Sequence, residues 1–308
     1  MKKHFHFFLL FVITTVNAQQ SARYGQSADE FGLDNPAGLS FEEMRYKGTV
    51  LSGYLRNQWW KGSGTGFPST QVLSLLNTRH RRHQYGGAFL ADKIGETRNL
   101  GLMARYAHTV AKGLKIGVSA AGYSQRIAIE NLDEYDAGDE LVMAAGEARW
   151  RLSAGVGAFY HMFNRNRVWN WFAGASIRHA FLLDQIPGST ESPAETDILA
   201  QGGIGRGSWW AGGRLRVSIH QPGALDVYLR KYLTEEERFF LSVIVTSDKR
   251  YQTAGMQAGL EWPLSTGGIN GNHYLITNIG ISKPVSKYIE GNNLIFDVRV
   301  AWAWQRRR

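Results

Sequence analysis

Alternation of apolar and polar positions with a period of two is the dominant pattern along this chain, and it is cleanest near the C-terminus. Between Asn293 and Trp304, Leu294, Phe296, Val298, Val300, Trp302 and Trp304 fall on one side, and Ile295, Asp297, Arg299, Ala301 and Ala303 on the other. Successive side chains of a strand point to opposite faces, so one face is continuously apolar and ends in aromatics while the other carries a charge pair and small residues. Residues 148–163 repeat the design, with Trp150, Leu152, Ala154, Val156, Ala158, Tyr160 and Met162 opposed to Arg149, Arg151, Ser153, Gly155, Gly157 and His161. Residues 209–220 set Trp209, Ala211, Leu215 and Val217 against Trp210, Arg214, Arg216 and Ser218. Arginines therefore recur on the face away from the apolar stripe.

About fourteen such segments, bounded by turn residues, are predicted along the chain. A soluble sandwich also hides one face of each strand, so alternation alone leaves a sandwich and a membrane barrel open. Length and aromatic placement separate them. Segments 98–111, 113–130 and 167–183 exceed an average soluble strand of about 5–6 residues and suit the roughly 9–11 residues that cross a bilayer at a tilt. Trp59, Trp150, Trp169, Trp171, Trp209, Trp262, Trp302 and Trp304 lie near segment ends, as interfacial girdles require. Connections also alternate: turns at 80–83, 112–113, 164–167, 205–208, 234–238 and 263–272 are assigned to the periplasmic side, and those at 60–68, 92–97, 131–147, 184–197, 221–223, 248–250 and 284–292 to the outside. The expected fold is all-β, a single transmembrane antiparallel barrel of about 14 strands.

Composition narrows the alternatives. Lys2 and Lys3, the short apolar run from Phe5 to Val16 and the Val16-Asn17-Ala18 site read as a signal peptide over residues 1–18. Residues 19–46 are expected as an N-terminal periplasmic segment, 47–304 as the barrel and 305–308 as a basic tail. No later run is long and apolar enough for a membrane helix. The chain has no Cys, so an exported fold must rest on closure or packing instead of disulfides. Of the formal charge of +9, only about +4 remains once the leader and the terminal arginines are set aside, too little to argue for nucleic acid.

The charges are nevertheless sorted. Glu130, Asp133, Glu134, Asp136, Asp139, Glu140 and Glu147 lie between Ile127 and Ala148, a stretch that holds no Lys or Arg. Inner turns carry Arg79, Arg81, Arg82, Lys112, Arg165, Arg167 and Arg206, and Arg306, Arg307 and Arg308 add to that side; the 234–238 turn is the exception. An acidic outer rim (Asp133, Glu134, Asp136, Asp139, Glu140) and a basic inner rim (Arg79, Arg81, Arg82, Arg165, Arg167, Arg306–Arg308) are candidate docking surfaces for partners of opposite charge.

Three stretches resemble a known family. Asn35-Pro36-Ala37-Gly38; Arg56-Asn57-Gln58-Trp59 followed by Phe67-Pro68-Ser69-Thr70-Gln71; and Asp92-Lys93-Ile94-Gly95 followed by Arg105-Tyr106-Ala107-His108 are similar to the PorP/SprF outer-membrane proteins of Bacteroidetes, associated with type IX secretion. The similarity is clearest over residues 19–130. It implies a fourteen-stranded barrel in the outer membrane of a Gram-negative bacterium, working with periplasmic secretion or peptidoglycan-linked proteins to secrete or tether cargo such as gliding adhesins. Two positions depart from the family's pattern. The chain runs past Trp304 into Gln305 and three arginines, and Tyr274 stands where the family's late His is followed by Glu.

Chemistry adds little to this reading. His80 and His83 lie among arginines that repel a cation, and two histidines do not close a metal site. Asn131, Asp133, Asp136 and Asp139 lack the Gly and spacing of a calcium loop. Gly202-Gly203-Ile204-Gly205-Arg206-Gly207 has no Lys-Ser/Thr behind it, which leaves a turn or bulge in a barrel wall. No nucleophile and base fall into a recognisable arrangement, so neither enzyme activity nor a cofactor is expected. Arg105, Arg149, Arg151, Arg214, Arg216 and Arg299, with Asp297, are expected to line the lumen and stiffen the wall through charge-assisted pairs. A passive outer-membrane channel for small solutes, suggested by the inward arginines, is the alternative function, and a secreted glycan-binding sandwich a third.

Overall fold

The computed structural model describes residues 31–45, 48–58, 69–78, 82–94, 97–127, 149–162, 169–184, 196–218, 223–233, 238–248, 252–268, 271–284 and 294–305. Two short helices, α1 (Phe31–Asp34) and α2 (Phe41–Arg45), precede fourteen strands. These are β1 (Thr49–Gln58), β2 (Ser69–Asn77), β3 (His83–Ile94), β4 (Thr97–Ala111), β5 (Leu114–Ile127), β6 (Arg149–Met162), β7 (Trp169–Asp184), β8 (Asp197–Arg206), β9 (Trp209–Ser218), β10 (Ala224–Tyr232), β11 (Phe239–Asp248), β12 (Gln252–Gly268), β13 (Gly271–Pro284) and β14 (Ile295–Gln305). Each strand pairs antiparallel with its sequence neighbours, and β14 returns to β1 with Thr49 opposite Trp304 and Gln58 opposite Ile295. Closure leaves no unpaired strand edge, which hydrocarbon demands of any sheet that crosses it.

The period of two decides which side chains meet lipid. In β14 the positions read as polar or small, Ile295, Asp297, Arg299, Ala301 and Ala303, are all buried, while Val300 and Trp302 are exposed on the outer wall. Leu102, Val118, Leu152, Val243, Met256 and Ile279 stand exposed on other strands, and with their neighbours they form an apolar band around the barrel. A band that broad suits lipid and not water. Arg56, Arg230 and Arg299 are at most 3% exposed, which puts their guanidiniums inside.

Short hairpins at one end set the register. Lys112-Gly113 joins β4 to β5 and Gly207-Ser208 joins β8 to β9, with Gly113 at φ 83° and Gly207 at φ 55°, conformations that L side chains rarely adopt. One sequence expectation changes here. Pro263, Gly267 and Gly268 suggest a turn over 263–272, but β12 continues to Gly268 and β13 begins at Gly271. Register shifts beside Ser265 absorb Pro263, whose missing N–H cannot serve the ladder, so the pairing resumes beyond it.

The interior is more aromatic than the polar lumen expected. Phe159, Phe172, Trp210, Tyr228, Tyr232 and Phe240 form one buried cluster with Ala37, Leu39, Phe41 and Met44 of the N-terminal segment. The sequence suggests a periplasmic segment over residues 19–46; residues 31–45 instead lie in the lumen, where inward aromatics and arginines offer them partners.

Val243 lies midway along β11 on the outer wall. Val243→Arg is expected to cost about 2–4 kcal/mol in reversible urea unfolding from lipid vesicles. A loss within about 0.5 kcal/mol, as for an ordinary surface substitution, would place this position outside the bilayer.

Candidate functional site

Asn35-Pro36-Ala37-Gly38 forms a tight turn because its residues satisfy it locally. The Asn35 carbonyl accepts from the Gly38 N–H at 2.8 Å, and Asn35 Oδ1 accepts from the Ala37 N–H at 3.0 Å. Proline at the second position presets the φ such a turn needs. The remaining half of the Asn35 amide anchors the turn to the wall: Nδ2 donates to the carbonyls of Ala158 at 3.0 Å and Ala175 at 3.3 Å, which face each other across β6 and β7. Gly117, Gly157 and Gly174 on three successive strands leave the space this seat requires. A Cβ at Gly117 would overlap the backbone of Pro36 and Ala37, and one at Gly157 or Gly174 would overlap the Asn35 side chain.

Asp34, fully buried, carries the charge of this plug. Its carboxylate accepts from Arg178 Nη1 at 2.7 Å, Arg214 Nη1 at 2.5 Å and Arg216 Nη2 at 3.4 Å, and its backbone carbonyl accepts from Ser176 Oγ at 2.9 Å. Arg214 also donates through Nε and Nη2 to Asp226 Oδ2, at 2.8 and 2.6 Å. Arg214 and Arg216 are two residues apart on β9 and so face the same way, and two facing guanidiniums need a counter-charge. Burial alone would push the Asp34 carboxyl up, but Arg214, Arg216 and Arg178 more than offset this and hold it below the usual carboxylate range. Because the folded-state value is depressed, the stability it contributes is present above the usual carboxylate range and is lost only as pH falls through the lowered value.

The chain then descends to β1 through a second set of contacts. Ser40 and Glu43 cap α2 reciprocally: the Ser40 N–H donates to Glu43 Oε2 at 2.8 Å, and the Glu43 N–H to Ser40 Oγ at 3.1 Å. Arg105 donates to the Gly38 carbonyl at 3.2 Å and to Glu43 Oε1 at 3.4 Å. Phe41 fits edge-on among Phe172, Trp210 and Tyr228, with centroids 5.9, 5.1 and 5.8 Å away. The Arg230 guanidinium lies 4.7 Å from the Phe41 ring and 4.0 Å from the Phe240 ring, while its Nε donates to Ser242 Oγ at 3.0 Å. A cation held between two rings away from water is favourable in a way an exposed one is not.

Of the residues named from sequence, Arg105, Arg214 and Arg216 meet at the plug. Asp297 and Arg299 belong to a separate inward cluster, where Tyr54 donates to Asp297 Oδ1 at 2.6 Å and Arg56 Nε lies 3.8 Å from the same oxygen. A void of about 10 Å³ beside them has room for one water at most. Arg149 and Arg151 lie on β6, with side chains outside the described residues. Arg82 is exposed, and its carbonyl accepts from the Thr109 N–H at 2.8 Å. Arg79, Arg81, Arg165, Arg167, Arg306, Arg307, Arg308, Asp133, Glu134, Asp136, Asp139 and Glu140 fall outside the described residues. Asp34, Glu43, Arg178, Asp226 and Arg230 were not singled out from sequence. Arg178 and Arg230 are legible in retrospect, since each follows an outward apolar residue, Ile177 and Leu229. Among the described residues no group of three or more His, Asp or Glu is placed to hold a metal ion.

A closed fourteen-stranded barrel with a lipid-facing apolar band and an internally seated N-terminal segment defines the class: an outer-membrane β-barrel. Residues 16–217 match the family described as type IX secretion system membrane protein PorP/SprF, and the chain belongs to that family. The matched range extends well beyond residue 130 and includes Asp34, the Asn35 turn and all three of the Asp34-binding arginines. No curated protein matches it in sequence. Similar solved structures include the CymD monoaromatic hydrocarbon channel, at 12% identity over 91% of this chain and 93% of that one, TM-score 0.51. A TodX deletion mutant, also a monoaromatic hydrocarbon channel, aligns at 7% identity over 89% and 93%, TM-score 0.53. A Pseudomonas aeruginosa FadL homologue aligns at 10% over 91% and 94%, TM-score 0.50. At these identities the likeness is one of fold.

The absence of cysteine provides a probe of the plug. A single Ala37→Cys in the folded barrel is expected to resist a polar maleimide, and adding Asp34→Asn, which takes a shared counter-charge from three buried guanidiniums at a cost of about 3–5 kcal/mol, is expected to make that thiol reactive. Equal labelling with and without the Asp34 change would show that the carboxylate does not hold the segment.

Proposed function

We propose that this protein is a non-enzymatic accessory of type IX secretion that supports the secretion or surface attachment of cargo, gliding adhesins among them, by docking partners on its two rims. On this reading a signal peptide over residues 1–18 exports it, the acidic connection around Asp133–Glu140 meets cargo outside, and the basic turns around Arg79, Arg81 and Arg82 meet periplasmic secretion or peptidoglycan-linked proteins. The observation that carries the reading is the occupied lumen. With Asp34 and Asn35 tied into β6, β7 and β9, Arg178 and Arg214 are already committed, which favours the rims as the surfaces for partners. Membership of the family supports the secretion role.

A channel for small solutes is the second reading, favoured by the hydrocarbon channels of similar fold. The plug opposes it. Arginines that an anion path would use are instead paired with Asp34 and Asp226.

Reversing Arg79, Arg81 and Arg82 to Glu together is expected to reduce capture of the periplasmic partner at least tenfold in mild-detergent pull-down, roughly 1.4 kcal/mol or more, with barrel closure unchanged on heat-modifiable gel migration. Undiminished capture would overturn the basic-rim assignment.

A further inference from the structure

The outer wall carries one rung that differs from the apolar band above it. Trp169 of β7 stands opposite Arg206 of β8, Arg206 opposite Trp209 of β9, and Trp209 opposite Lys231 of β10. All four side chains are exposed on the outer surface, at the end of the barrel that carries the short hairpins. The Arg206 guanidinium lies 5.2 Å from the Trp169 ring, and the Lys231 ammonium 4.9 Å from the Trp209 ring. Neither cation has a carboxylate partner among the described residues. With strands about 4.8 Å apart, two cations two strands apart flank Trp209 at a backbone separation of roughly 10 Å.

The next rungs on the same strands are of another character. Trp171, Ile204, Ala211 and Leu229 form the one above, and Ala173, Gly202, Gly213 and Val227 the one above that. Ala211 and Gly213 of β9 make a shallow apolar trough between Ile204 and Leu229 that opens onto Gly202 and leads away from the two cations. A phosphate at the rung with acyl chains along the trough matches both halves at once. A protein segment would leave the trough facing lipid regardless, so the surface favours lipid.

We propose that Arg206 and Lys231, steadied by Trp169 and Trp209, form a headgroup site for an anionic glycerophospholipid of the inner leaflet. The phosphate is held between the two cations beside Trp209, and the tails lie over Ala211, Gly202 and Gly213. Opposite charge at a membrane surface favours each such contact, and the tryptophans hold the long cationic side chains in place before the lipid arrives.

Native mass spectrometry of the full chain, titrated separately with phosphatidylglycerol and phosphatidylethanolamine in mild detergent, tests this. The unmodified protein is expected to retain phosphatidylglycerol preferentially, and R206Q/K231Q to lose that preference by at least about tenfold. K283Q, at an exposed lysine near the opposite rim, is expected to leave it unchanged. Equal retention of the two lipids by the unmodified protein would overturn the site whatever the variants do. So would an unaltered preference in the double variant, or an equal loss in K283Q.

Discussion

The carboxylate of Asp34, enclosed by Arg178, Arg214 and Arg216, is the contact on which the interior of this barrel depends. Strand β8, between Arg178 and the β9 arginines, contributes Leu199, Gln201 and the buried carboxylate of Asp197, which stands opposite Arg178 and bears on Arg216. Without Asp34 the three guanidiniums would lose the carboxylate they share, with Asp226 pairing Arg214 and Asp197 facing Arg178. With it, the N-terminal segment is fixed at mid-barrel, and everything between Asn35 and β1 is drawn into contact with the inward aromatics. The ion cluster is therefore a positioning device whose net worth depends on both partners being present, as buried charge pairs generally do.

Closure and plugging solve different problems with the same strands. Outward positions satisfy lipid by being apolar, and the ladder satisfies the backbone by closing β14 onto β1. Inward positions face no solvent that imposes one chemistry, so they are free to specialise. On β7, β9 and β10 aromatic positions hold Phe41; on β7 and β9 basic positions hold Asp34; across β5, β6 and β7 glycines seat the Asn35 turn. A barrel built this way has an interior occupied by its own N-terminal segment.

What could be read from sequence follows from the same physics. A strand with lipid on one side must alternate, so the faces of β6, β9 and β14 are legible residue by residue, and the short inner turns fall out of the spacing between them. The turn expected over 263–272 shows the limit of that reasoning, because Pro263 and the nearby glycines mark a bulge as readily as a reversal. The plug was harder to see. Asn35-Pro36-Ala37-Gly38 encodes a turn whether it sits in water or inside a barrel, and a segment without strand periodicity says nothing about its surroundings. The inward glycines at 155 and 157 read as small lumen residues; only the register brings Gly117, Gly157 and Gly174 under one turn. Asp34, a single acid before a proline turn, carries no signal until the arginines of β7 and β9 converge on it.

Planar-bilayer conductance of the full chain tests the occupied lumen most directly. The seated N-terminal segment predicts no sustained ohmic current in the unmodified protein, and current steps once Asp34→Asn is combined with Asn35→Ala to release both anchors. A steady open-pore conductance in the unmodified protein, unaltered by those two substitutions, would contradict the account.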